Sequence, residues 1–509
     1  MNPDAFLHAL HYDVDRIRPS DWQVDWDDSP LLYKLYRGLP QFPLSAEVPL
    51  TLPGKKASGT PSLREVGHFL WYVNGLMQAS DSGYGMKFRR FFPSGGGLYP
   101  SELYVYLKTD GVPTGVYHYS AAHHRLVLLR EGKFDEVLGR ALGGRCDLDA
   151  CWGAVFVSTM FWKNFFKYNN FAYRLQGLDA GVLLGQLLEV SKRFGYTAGV
   201  CYQFLDRAVN SLLGISELEE SVYAVVPLSV KPTGEWFAKA QTNTSCKDLI
   251  RELPDLHLKH YVRSKWIKPF PLLVRMNEEA MLDNTNAFTK WQGGTSTGDA
   301  SNLTALPQVP RLSYDLAAVG RKRTSSGEDF VLHGVSQTQL AMLLQEATNS
   351  FSYCNDLDGG ESTKPRVSLY GSLTGVEGLP DGAYSYDNSS HTLQSIRLGD
   401  HRYVFQQGVS MQNVNMTQAP LCFHVVGDRD HLTESLGFRG YRIQQMEAGL
   451  LVHRLVLAAT ALELSGHPLL DFDTAACDEH YNLQTQATLI QIPIGVTRVR
   501  PRFQGLLHR

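Results

Sequence analysis

The 509-residue chain lacks a long apolar run, an apolar N-terminal signal and any appreciable net charge. Its most apolar stretch, 450–464, is interrupted by His453 and Arg454, so no run reaches the ~18 residues of a membrane-spanning helix. The first ten residues contain no basic segment followed by an apolar one, so no secretory signal is predicted. The formal net charge of −3 argues against nucleic acid or an anionic membrane as a partner held by bulk charge. We expect a cytoplasmic protein that binds neither.

Cysteine is also scarce. The seven cysteines are scattered along the chain and include no CxxC pair. An odd, dispersed set in a large chain favours reduced and mostly buried thiols over a disulfide framework or a zinc site. The 43% share of hydrophobic residues is normal for a globular core, which excludes wholesale disorder and fibrous classes. We therefore expect a folded chain without a metal site.

The length predicts two to four domains, and internal repeats reduce this number to two. Three segments recur in the same order at a nearly constant offset: YRLQGLDAG (173–181) and YRIQQMEAG (441–449), GVYHY (115–119) and GAYSY (382–386), VVPLSV (225–230) and IQIPIGV (490–496). Chance does not supply three such matches at one spacing, so we predict a tandem duplication. The predicted parts are an N-terminal arm (1–60), a first domain (61–235), a linker or extended arm (236–310) and a second domain (311–509). The two domains are called copy one and copy two.

Both copies predict the same order of elements, which is typical of an α+β fold. A capped amphipathic helix comes first, and alternating or aromatic-rich strands follow it. A buried strand, a long apolar helix and a final strand complete each copy. The segments are 62–77, 103–107, 154–158, 175–194 and 225–230 in copy one, and 336–348, 367–370, 421–426, 443–464 and 490–496 in copy two. The first 60 residues, rich in Pro, Trp and Tyr, predict an arm that wraps the domains.

A glycine-rich loop in copy one is the sharpest local signal. Within RRFFPSGGGLYPSELYVY, three glycines follow Pro-Ser and precede a predicted strand, and the loop comprises Pro93, Ser94, Gly95, Gly96 and Gly97. Consecutive glycines let backbone N–H groups approach a planar or anionic ligand closely. The alternative is an ordinary turn before a strand.

A lysine and a tyrosine, Lys167 and Tyr168, are adjacent in WKNFFKYNNFAYR. An ammonium held against a phenol can favour the phenolate and make the tyrosine a usable base. The alternative is a lysine that reaches solvent beside a tyrosine that packs.

A basic, hydroxyl-rich segment, RKRTSS (321–326), precedes the first helix of copy two. Guanidinium forks and hydroxyl groups form a good cradle for a phosphate, and further arginines follow near the C-terminal end. The candidate phosphate ligands are Arg321, Arg323, Thr324, Ser325, Arg498 and Arg500. The alternative is a solvated basic loop.

The ordered combination of these motifs resembles a known family. PSGGGLYP before a strand, and KY followed by YRLQGLDAG at the start of a long helix, are similar to the FMN-dependent azoline dehydrogenases, the SagB/ThcOx-type branch of the nitroreductase-like flavoproteins. The resemblance implies two tandem nitroreductase-like domains that form an internal pseudo-dimer with a flavin site at their interface, and a further homodimer stays open. It implies FMN as cofactor, Lys167 and Tyr168 as the catalytic signature with Tyr168 as the base, and O2 as the oxidant of the reduced flavin.

The resemblance also implies that each copy supplies one half of a single site. In that family the basic element of one subunit holds the FMN phosphate, and the glycine loop of the other subunit reaches the same flavin. Copy one has the glycine loop and the Lys-Tyr pair, but KKASGTPS (55–62) stands where the basic element would be. The flavin edge is expected to face the segment after the long helix of copy two, including Leu469 and Leu470.

Copy two has the basic element but has lost the other half. DLDGGESTKP (356–365) stands in place of the glycine loop, and Ser435 and Leu436 stand in place of the Lys-Tyr pair. Asp356 and Asp358 would repel a phosphate or a reduced flavin. We therefore predict one composite FMN site and an empty mirror position. The alternative is a mirror position that binds FMN weakly without catalysing a reaction.

Several arginines and a tyrosine near these motifs have either a structural or a ligand-binding role: Arg89, Arg90, Tyr99 and Arg174. Arg174 has a counterpart, Arg442, in copy two, and its presence in both copies favours a packing or helix-start role.

The implied reaction is oxidation of a peptidyl thiazoline or oxazoline to the thiazole or oxazole in natural-product biosynthesis. No dedicated leader-peptide domain is evident, which favours a peptide bound to a carrier protein of a nonribosomal peptide synthetase over a ribosomally made peptide. One alternative is an NAD(P)H-dependent nitro- or quinone reductase, or a Cα–Cβ dehydrogenase, on the same fold. The other is a non-enzymatic scaffold that presents a peptide to a synthetase.

Overall fold

The computed structural model describes residues 1–54, 59–81, 86–231, 236–237, 242–291, 302–325, 327–349, 353–358, 365–411, 413–498 and 505–506. Within these ranges the α-helices are α1 (Pro3–Tyr12), α2 (Val14–Ile17), α3 (Leu63–Asn74), α4 (Asp135–Ala141), α5 (Trp162–Tyr168), α6 (Ala172–Phe194), α7 (Asp206–Leu213), α8 (Cys246–Glu252), α9 (Pro271–Glu279), α10 (Leu316–Lys322), α11 (Gln337–Thr348), α12 (Arg402–Gln407), α13 (Thr433–Leu436), α14 (Phe438–Ala461) and α15 (Thr474–His480). The strands are β1 (Gln41–Pro43), β2 (Gln78–Asp81), β3 (Met86–Arg89), β4 (Ser101–Leu107), β5 (Gly115–Ser120), β6 (Arg125–Glu131), β7 (Cys151–Met160), β8 (Thr197–Val200), β9 (Glu220–Ser229), β10 (Leu303–Ala305), β11 (Phe330–Val331), β12 (Cys354–Asn355), β13 (Val367–Leu373), β14 (Gly382–Asp387), β15 (Thr392–Leu398), β16 (Leu421–Asp428), β17 (Ser465–Gly466), β18 (Gln486–Thr497) and β19 (Gly505–Leu506).

Two sheets, one built around each copy, enclose a pair of long helices; the copy-two sheet is antiparallel, and the copy-one sheet has one parallel pair, β8 with β12. The copy-one sheet has the order β1-β6-β5-β4-β7-β9-β8-β12, and the copy-two sheet has the order β10-β15-β14-β13-β16-β18-β11. Helix α6 packs on β4 and β7, helix α14 packs on β16 and β18, and the two helices pack on each other. The layers therefore run sheet, helix, helix, sheet, and the hydrophobic core continues through the helix pair.

The strand registers confirm the tandem duplication and the α+β class that the repeats predict. In copy one Val155 of β7 pairs with Val226 of β9, and in copy two Cys422 of β16 pairs with Pro493 of β18, each residue 267 positions later. The first helices of the two copies also begin alike, because α3 and α11 each start with a serine capping box.

Glycine permits a close crossing of α6 and α14. A Cβ on Gly181 would overlap the Met446 carbonyl group, and a Cβ on Gly449 would overlap the Leu178 carbonyl group. Each glycine is the last residue of its nine-residue repeat, YRLQGLDAG or YRIQQMEAG. The same contact is therefore made twice about a pseudo-twofold axis. The crossing therefore joins the copies as the two halves of an internal pseudo-dimer.

Two buried arginines of the repeat reinforce this interface. Arg174 of copy one donates to the Leu489 carbonyl oxygen of β18 at 2.6 Å, and Arg442 of copy two donates to the Asp206 carboxylate of α7 at 3.1 Å. Each guanidinium thus reaches from its own long helix into the other copy. The packing role favoured by the sequence comparison is confirmed for both residues.

Both predicted arms pack on the two copies. In the N-terminal arm, the Tyr12 hydroxyl donates to Asp478 of copy two at 2.7 Å, and Lys34 forms a buried ion pair with Glu220 of copy one at 2.6 Å. The predicted linker contains α8, which packs on α7, and β10, which extends the copy-two sheet. It is therefore more regular than its polar sequence indicates.

The cysteines carry free thiols, and most of them are buried, as the sequence predicts. Within the described ranges, no helix is both long and apolar enough to cross a membrane. The same ranges contain no group of three or more His, Cys, Asp or Glu side chains that could hold a metal ion.

The helix crossing makes a testable prediction about stability. Gly181→Ala and Gly449→Ala should each lower the free energy of unfolding by about 1–3 kcal/mol or more, because the added Cβ forces the helices apart. Gly139→Ala in α4 is the matched control, since its Cβ would meet only Leu148 at 3.8 Å. Alanine is favoured over glycine inside a helix by about 0.5–1 kcal/mol, so the control should melt at the same temperature or higher. Thermal melts in which Gly181→Ala and Gly139→Ala behave alike would contradict the close crossing.

Candidate active site at the interface of the two copies

One buried carboxylate of α6 fixes the glycine loop of copy one. The Ser94 hydroxyl donates to Asp179 at 2.8 Å, and the Gly95 N–H donates to the same carboxylate at 3.0 Å. Gly96 and Gly97 have φ angles of +63° and +69°, which glycine adopts without the penalty of a Cβ. The loop, which begins at the half-buried Pro93, is therefore a rigid turn oriented from the long helix.

Lys167 and Tyr168 lie against this loop at the end of α5. A Cβ on Gly96 would lie 2.5 Å from the Tyr168 hydroxyl oxygen and 2.9 Å from Lys167 Nζ. Lys167 Nζ lies 4.7 Å from the centroid of the Tyr168 ring. The structure thus brings together the loop and the Lys-Tyr pair, which are far apart in the sequence.

Burial shifts the protonation of the pair in the opposite direction from the sequence prediction. Burial, and then the Asp179 carboxylate, raise the pKa of Tyr168, while burial lowers the pKa of Lys167. The phenol therefore keeps its proton, and the ammonium loses its proton more readily than an exposed lysine. Burial also raises the pKa of Asp179 to about 6, although the hydrogen bonds from the loop lower it.

A second lysine on α5 connects this helix to the strand after the loop. Lys163, one helical turn before Lys167, donates to the Tyr99 carbonyl oxygen at 3.1 Å and forms a buried ion pair with Glu102 of β4. Lys163, Glu102 and Asp179 were missed by the sequence analysis. The i, i+4 spacing of the two lysines could have identified Lys163. The acidic residue that both copies of the repeated segment carry could have identified Asp179.

The basic element of copy two reaches the same region. The buried Arg323 side chain places Nε 3.4 Å from the Phe91 carbonyl oxygen, and the Arg89 guanidinium donates to the Arg323 carbonyl. Gly320 of α10 packs on the Phe91 ring, where a Cβ would lie 2.7 Å from a ring carbon. Phe91 stands two residues before Pro93, so the basic element is anchored at the base of the glycine loop.

Arg323 forms no ion pair with a carboxylate in the described part of the chain. Burial, and then the neighbouring Arg89 guanidinium, lower the pKa of Arg323 to about 10. Its NH1 group donates to the Ser325 hydroxyl at 3.2 Å. A buried cation beside a second cation is costly unless an anion offsets the charge, so this position favours an anionic ligand.

The segment after α14 joins the same cradle. Thr324 Oγ1 lies 3.4 Å from the Ser465 hydroxyl oxygen. Burial lowers the pKa of His467, although the nearby Ser325 backbone raises it. The residues of this segment that were predicted to face the flavin are half-buried, namely Leu469 and Leu470.

Of the other predicted phosphate ligands, Arg321 is held elsewhere. The Arg321 guanidinium donates to the Leu50 carbonyl oxygen at 2.8 Å and so holds the N-terminal arm. Arg498 is exposed. Arg500 lies outside the described residues, as do 55–58, 326 and 359–364.

Two residues near the glycine loop have structural roles. Arg90 is completely buried and donates to the carbonyl oxygens of Asn74 at 2.9 Å and Leu32 at 3.0 Å. The Arg90 N–H donates to the Tyr99 hydroxyl at 3.1 Å. The two terminal nitrogens of the guanidinium are therefore hydrogen-bonded within the protein.

The mirror position in copy one is filled by the chain of copy two. Strand β12 pairs in parallel with β8, and the Asp356 carboxylate accepts from the N–H groups of Tyr202 and Gln203, each at 2.9 Å. Segment 199–203 follows the long helix of copy one, as 467–471 follows the long helix of copy two, and both segments bridge to the last main strand of their copy, at Cys201–Val225 and Leu469–Gln491. Strand β12 of copy two thus covers segment 199–203 of copy one. The segment after α14 of copy two instead lies beside Thr324 and Ser325.

The two acidic residues of this segment are paired with arginines of the protein, a context that the sequence analysis did not anticipate. The Arg145 guanidinium donates to Asp356 at 2.8 Å, and the Arg366 guanidinium donates to Asp358 at 2.7 Å. Arg366 also donates to Glu447, the copy-two counterpart of Asp179, at 2.8 Å. Both aspartates are therefore neutralised by ion pairs within the protein.

The contact between the glycine loop and the Lys-Tyr pair is testable with two neighbouring glycines. Gly96→Ala and Gly97→Ala both place a Cβ in the left-handed region, at a cost of about 1–2 kcal/mol. Only Gly96→Ala also overlaps the Tyr168 hydroxyl, because a Cβ on Gly97 meets nothing within 4 Å. We expect Gly96→Ala to have the lower melting temperature of the two. Equal melting temperatures would show that the loop and the pair are not in contact.

Comparison with known proteins agrees with this architecture. The trifolitoxin-processing protein TfxB of Rhizobium leguminosarum bv. trifolii is 26% identical over 149 residues, which span 27% of this chain and 38% of TfxB. A solved structure of a protein assigned as a nitroreductase, from Anabaena variabilis, is similar with a TM-score of 0.74 at 22% identity, covering 97% of this chain and 99% of that one. The sequence pattern described as "Nitroreductase family" matches residues 64–228 and 380–496. Because these segments make up more than half of the chain and lie in both copies, the chain belongs to the nitroreductase family.

Proposed function

We propose that this protein is an FMN-dependent oxidoreductase that converts a peptidyl thiazoline or oxazoline to the thiazole or oxazole at one composite site. The convergence of the copy-one glycine loop and Lys-Tyr pair with the copy-two basic element carries the proposal. The motifs that converge are those by which the sequence resembles the azoline dehydrogenases. The filled mirror position supports one site per chain.

The residues present fit FMN. Arg323, buried beside a second cation, would hold the phosphate together with the hydroxyl groups of Thr324 and Ser325. His467 Nδ1 is buried and has no hydrogen-bond partner in the described part of the chain, so a polar atom is available to a ligand. The glycine loop lets a planar ring approach the backbone at the opposite end of the site.

Azoline oxidation removes two hydrogens from adjacent ring atoms, one as a proton and one as a hydride. FMN, when bound, supplies the hydride acceptor. Lys167 is the proposed proton acceptor, because its lowered pKa increases the fraction of neutral amine. Tyr168, with its raised pKa, keeps its proton and donates a hydrogen bond that orients the reacting group. These roles are the reverse of those expected from the sequence, where Tyr168 was the base.

O2 is the proposed terminal oxidant, so the balanced reaction is azoline plus O2 giving azole plus hydrogen peroxide. The partial match to a trifolitoxin-processing protein supports a role in natural-product maturation. The proposed substrate is a peptide, presented on a carrier protein of a nonribosomal peptide synthetase or free after ribosomal synthesis. Assays with both forms of a thiazoline peptide separate these sources.

Substitution of the pair tests the proposed reaction. Lys167→Ala and Tyr168→Phe should keep bound FMN and lower turnover of a thiazoline peptide by ~10²–10⁴-fold, the contribution typical of a positioned acid or base. Mass spectrometry of the peptide measures turnover as a loss of two hydrogens. Ser435→Ala, at the corresponding position of copy two, is the matched control and should keep full turnover. Unchanged azoline oxidation in both variants would rule out the pair, and rapid bleaching of the flavin by NAD(P)H would favour the reductase alternative.

The pH dependence of turnover distinguishes the two possible bases. If Lys167 takes the proton, the rate should rise with pH as its ammonium deprotonates, below the usual lysine pKa, because burial lowers that pKa. The same rising limb should persist at a lower rate in Tyr168→Phe and disappear from the residual activity of Lys167→Ala. Asp179→Asn removes the group whose pKa is about 6 and so identifies its share of the profile. Loss of the limb in Tyr168→Phe alone would assign the base to the tyrosine.

A further inference from the structure

We infer that Trp26 and Trp266 form an aromatic wall beside Lys167 that binds the peptide substrate by stacking on planar rings next to the reacting one. The ligand class is a peptide segment that carries azole rings or aromatic side chains. This inference deepens the proposed function and rests on it.

Trp26 is held next to the catalytic pair and remains open to solvent. Its ring meets the Phe166 ring edge to face, with centroids 5.5 Å apart and an interplanar angle of 89°. Lys167 Nζ lies 5.7 Å from the centroid of the Trp26 ring, yet 57% of the residue is exposed. An exposed indole face therefore lies beside the Lys167 amine.

Trp266 belongs to the same hydrogen-bonded unit, although it comes from the linker region. The Asp28 carboxylate accepts from the Trp266 N–H at 2.8 Å and from the Lys265 N–H at 2.7 Å. The Ser264 hydroxyl donates to the Asp28 carbonyl oxygen at 2.7 Å and accepts from the Trp162 indole N–H of α5 at 2.9 Å. The backbone that carries Trp266 is thus fixed to the helix of the catalytic pair, while 80% of the residue is exposed.

The wall is built at the copy with the catalytic pair. Segments 25–29 and 263–266 belong to the two arms outside the repeat, and both converge on α5. The copy-two counterpart of α5 is α13, whose sequence TESL contains no aromatic residue. Wrapping of the pseudo-dimer does not require these two indoles to be exposed. The aromatic wall therefore lies at the copy that carries the proposed catalytic pair.

Indole faces suit the products and intermediates of azole formation. Thiazole and oxazole rings are planar and conjugated, and offset or edge-to-face ring pairs contribute about 0.5–1.5 kcal/mol beyond buried area. Tryptophan combines a large apolar face with low conformational freedom, which is why it is frequent among residues that dominate binding. A peptide that already carries an azole would thus be held while a neighbouring azoline is oxidised.

The test measures binding of a labelled peptide with two thiazole rings to the FMN-loaded enzyme by fluorescence anisotropy. Trp26→Ala and Trp266→Ala should each raise Kd by about 2- to 10-fold, the equivalent of one lost ring pair. Trp26→Phe should restore most of the loss. Tyr403→Ala removes an aromatic residue that is 66% exposed on α12 of copy two, and this matched control should leave Kd and turnover unchanged.

The outcomes separate this inference from the proposed function. An unchanged Kd in the Trp26→Ala/Trp266→Ala double variant would overturn the inference of an aromatic wall, even if azolines are oxidised. No binding of the peptide by the wild type would overturn it as well. Wild-type binding that depends on both tryptophans, without azoline oxidation, would overturn the proposed function and leave the wall standing. Sedimentation velocity provides a further check, because a change of oligomeric state in the variants would assign the surface to a second copy of this chain.

Discussion

The close crossing of α6 and α14 is the constraint on which the rest of the structure depends. Gly181 and Gly449 let each helix backbone contact the other, and the Tyr173 and Tyr441 rings stack near the start of the same helices with centroids 5.6 Å apart and an interplanar angle of 13°. Because these residues come from the repeat, the contact is nearly symmetric. It fixes the distance between the copies and so places the glycine loop of copy one beside the basic element of copy two.

The same symmetry would produce two equivalent positions, and the side chains make them different. Asp179 uses its carboxylate to orient the glycine loop and has a pKa raised to about 6 by burial. Its counterpart Glu447 is bound by Arg366, whose pKa it raises. Asp179 therefore orients the glycine loop, whereas Glu447 forms an ion-pair network with Arg366 and Asp358 beside β12. In the proposed function, copy two supplies the phosphate side of the site and a structural complement to copy one.

Much of the fold could be predicted from the sequence, because repeats and hydrophobic periodicity are local signals. The long helices and the buried strands followed from such patterns, and the pairing of complementary motifs followed from the resemblance to the azoline dehydrogenases. Strand β12 could not be predicted, since two residues carry no periodicity and its partner strand lies in the other copy. The role of Arg321 was also beyond the sequence, because only the fold places the Leu50 carbonyl beside it.

The electrostatics of the site show a second limit of sequence reasoning. Adjacent Lys167 and Tyr168 favour a phenolate when both are solvated, but desolvation acts on each group separately and reverses the direction of both pKa shifts. Burial is a property of the whole fold, so no local motif reports it. Asp179 adds to the effect on Tyr168 from a helix that the pair precedes by only a few residues.

The central claim is that two copies of one fold build a single flavin site from unlike halves. It is tested most directly by the molar ratio of FMN to protein after saturation with FMN and removal of the excess, measured from flavin absorbance and protein concentration. The account predicts one FMN per chain. A ratio of two per chain would contradict it, because the mirror position would then hold the cofactor despite the strand and ion pairs that fill it.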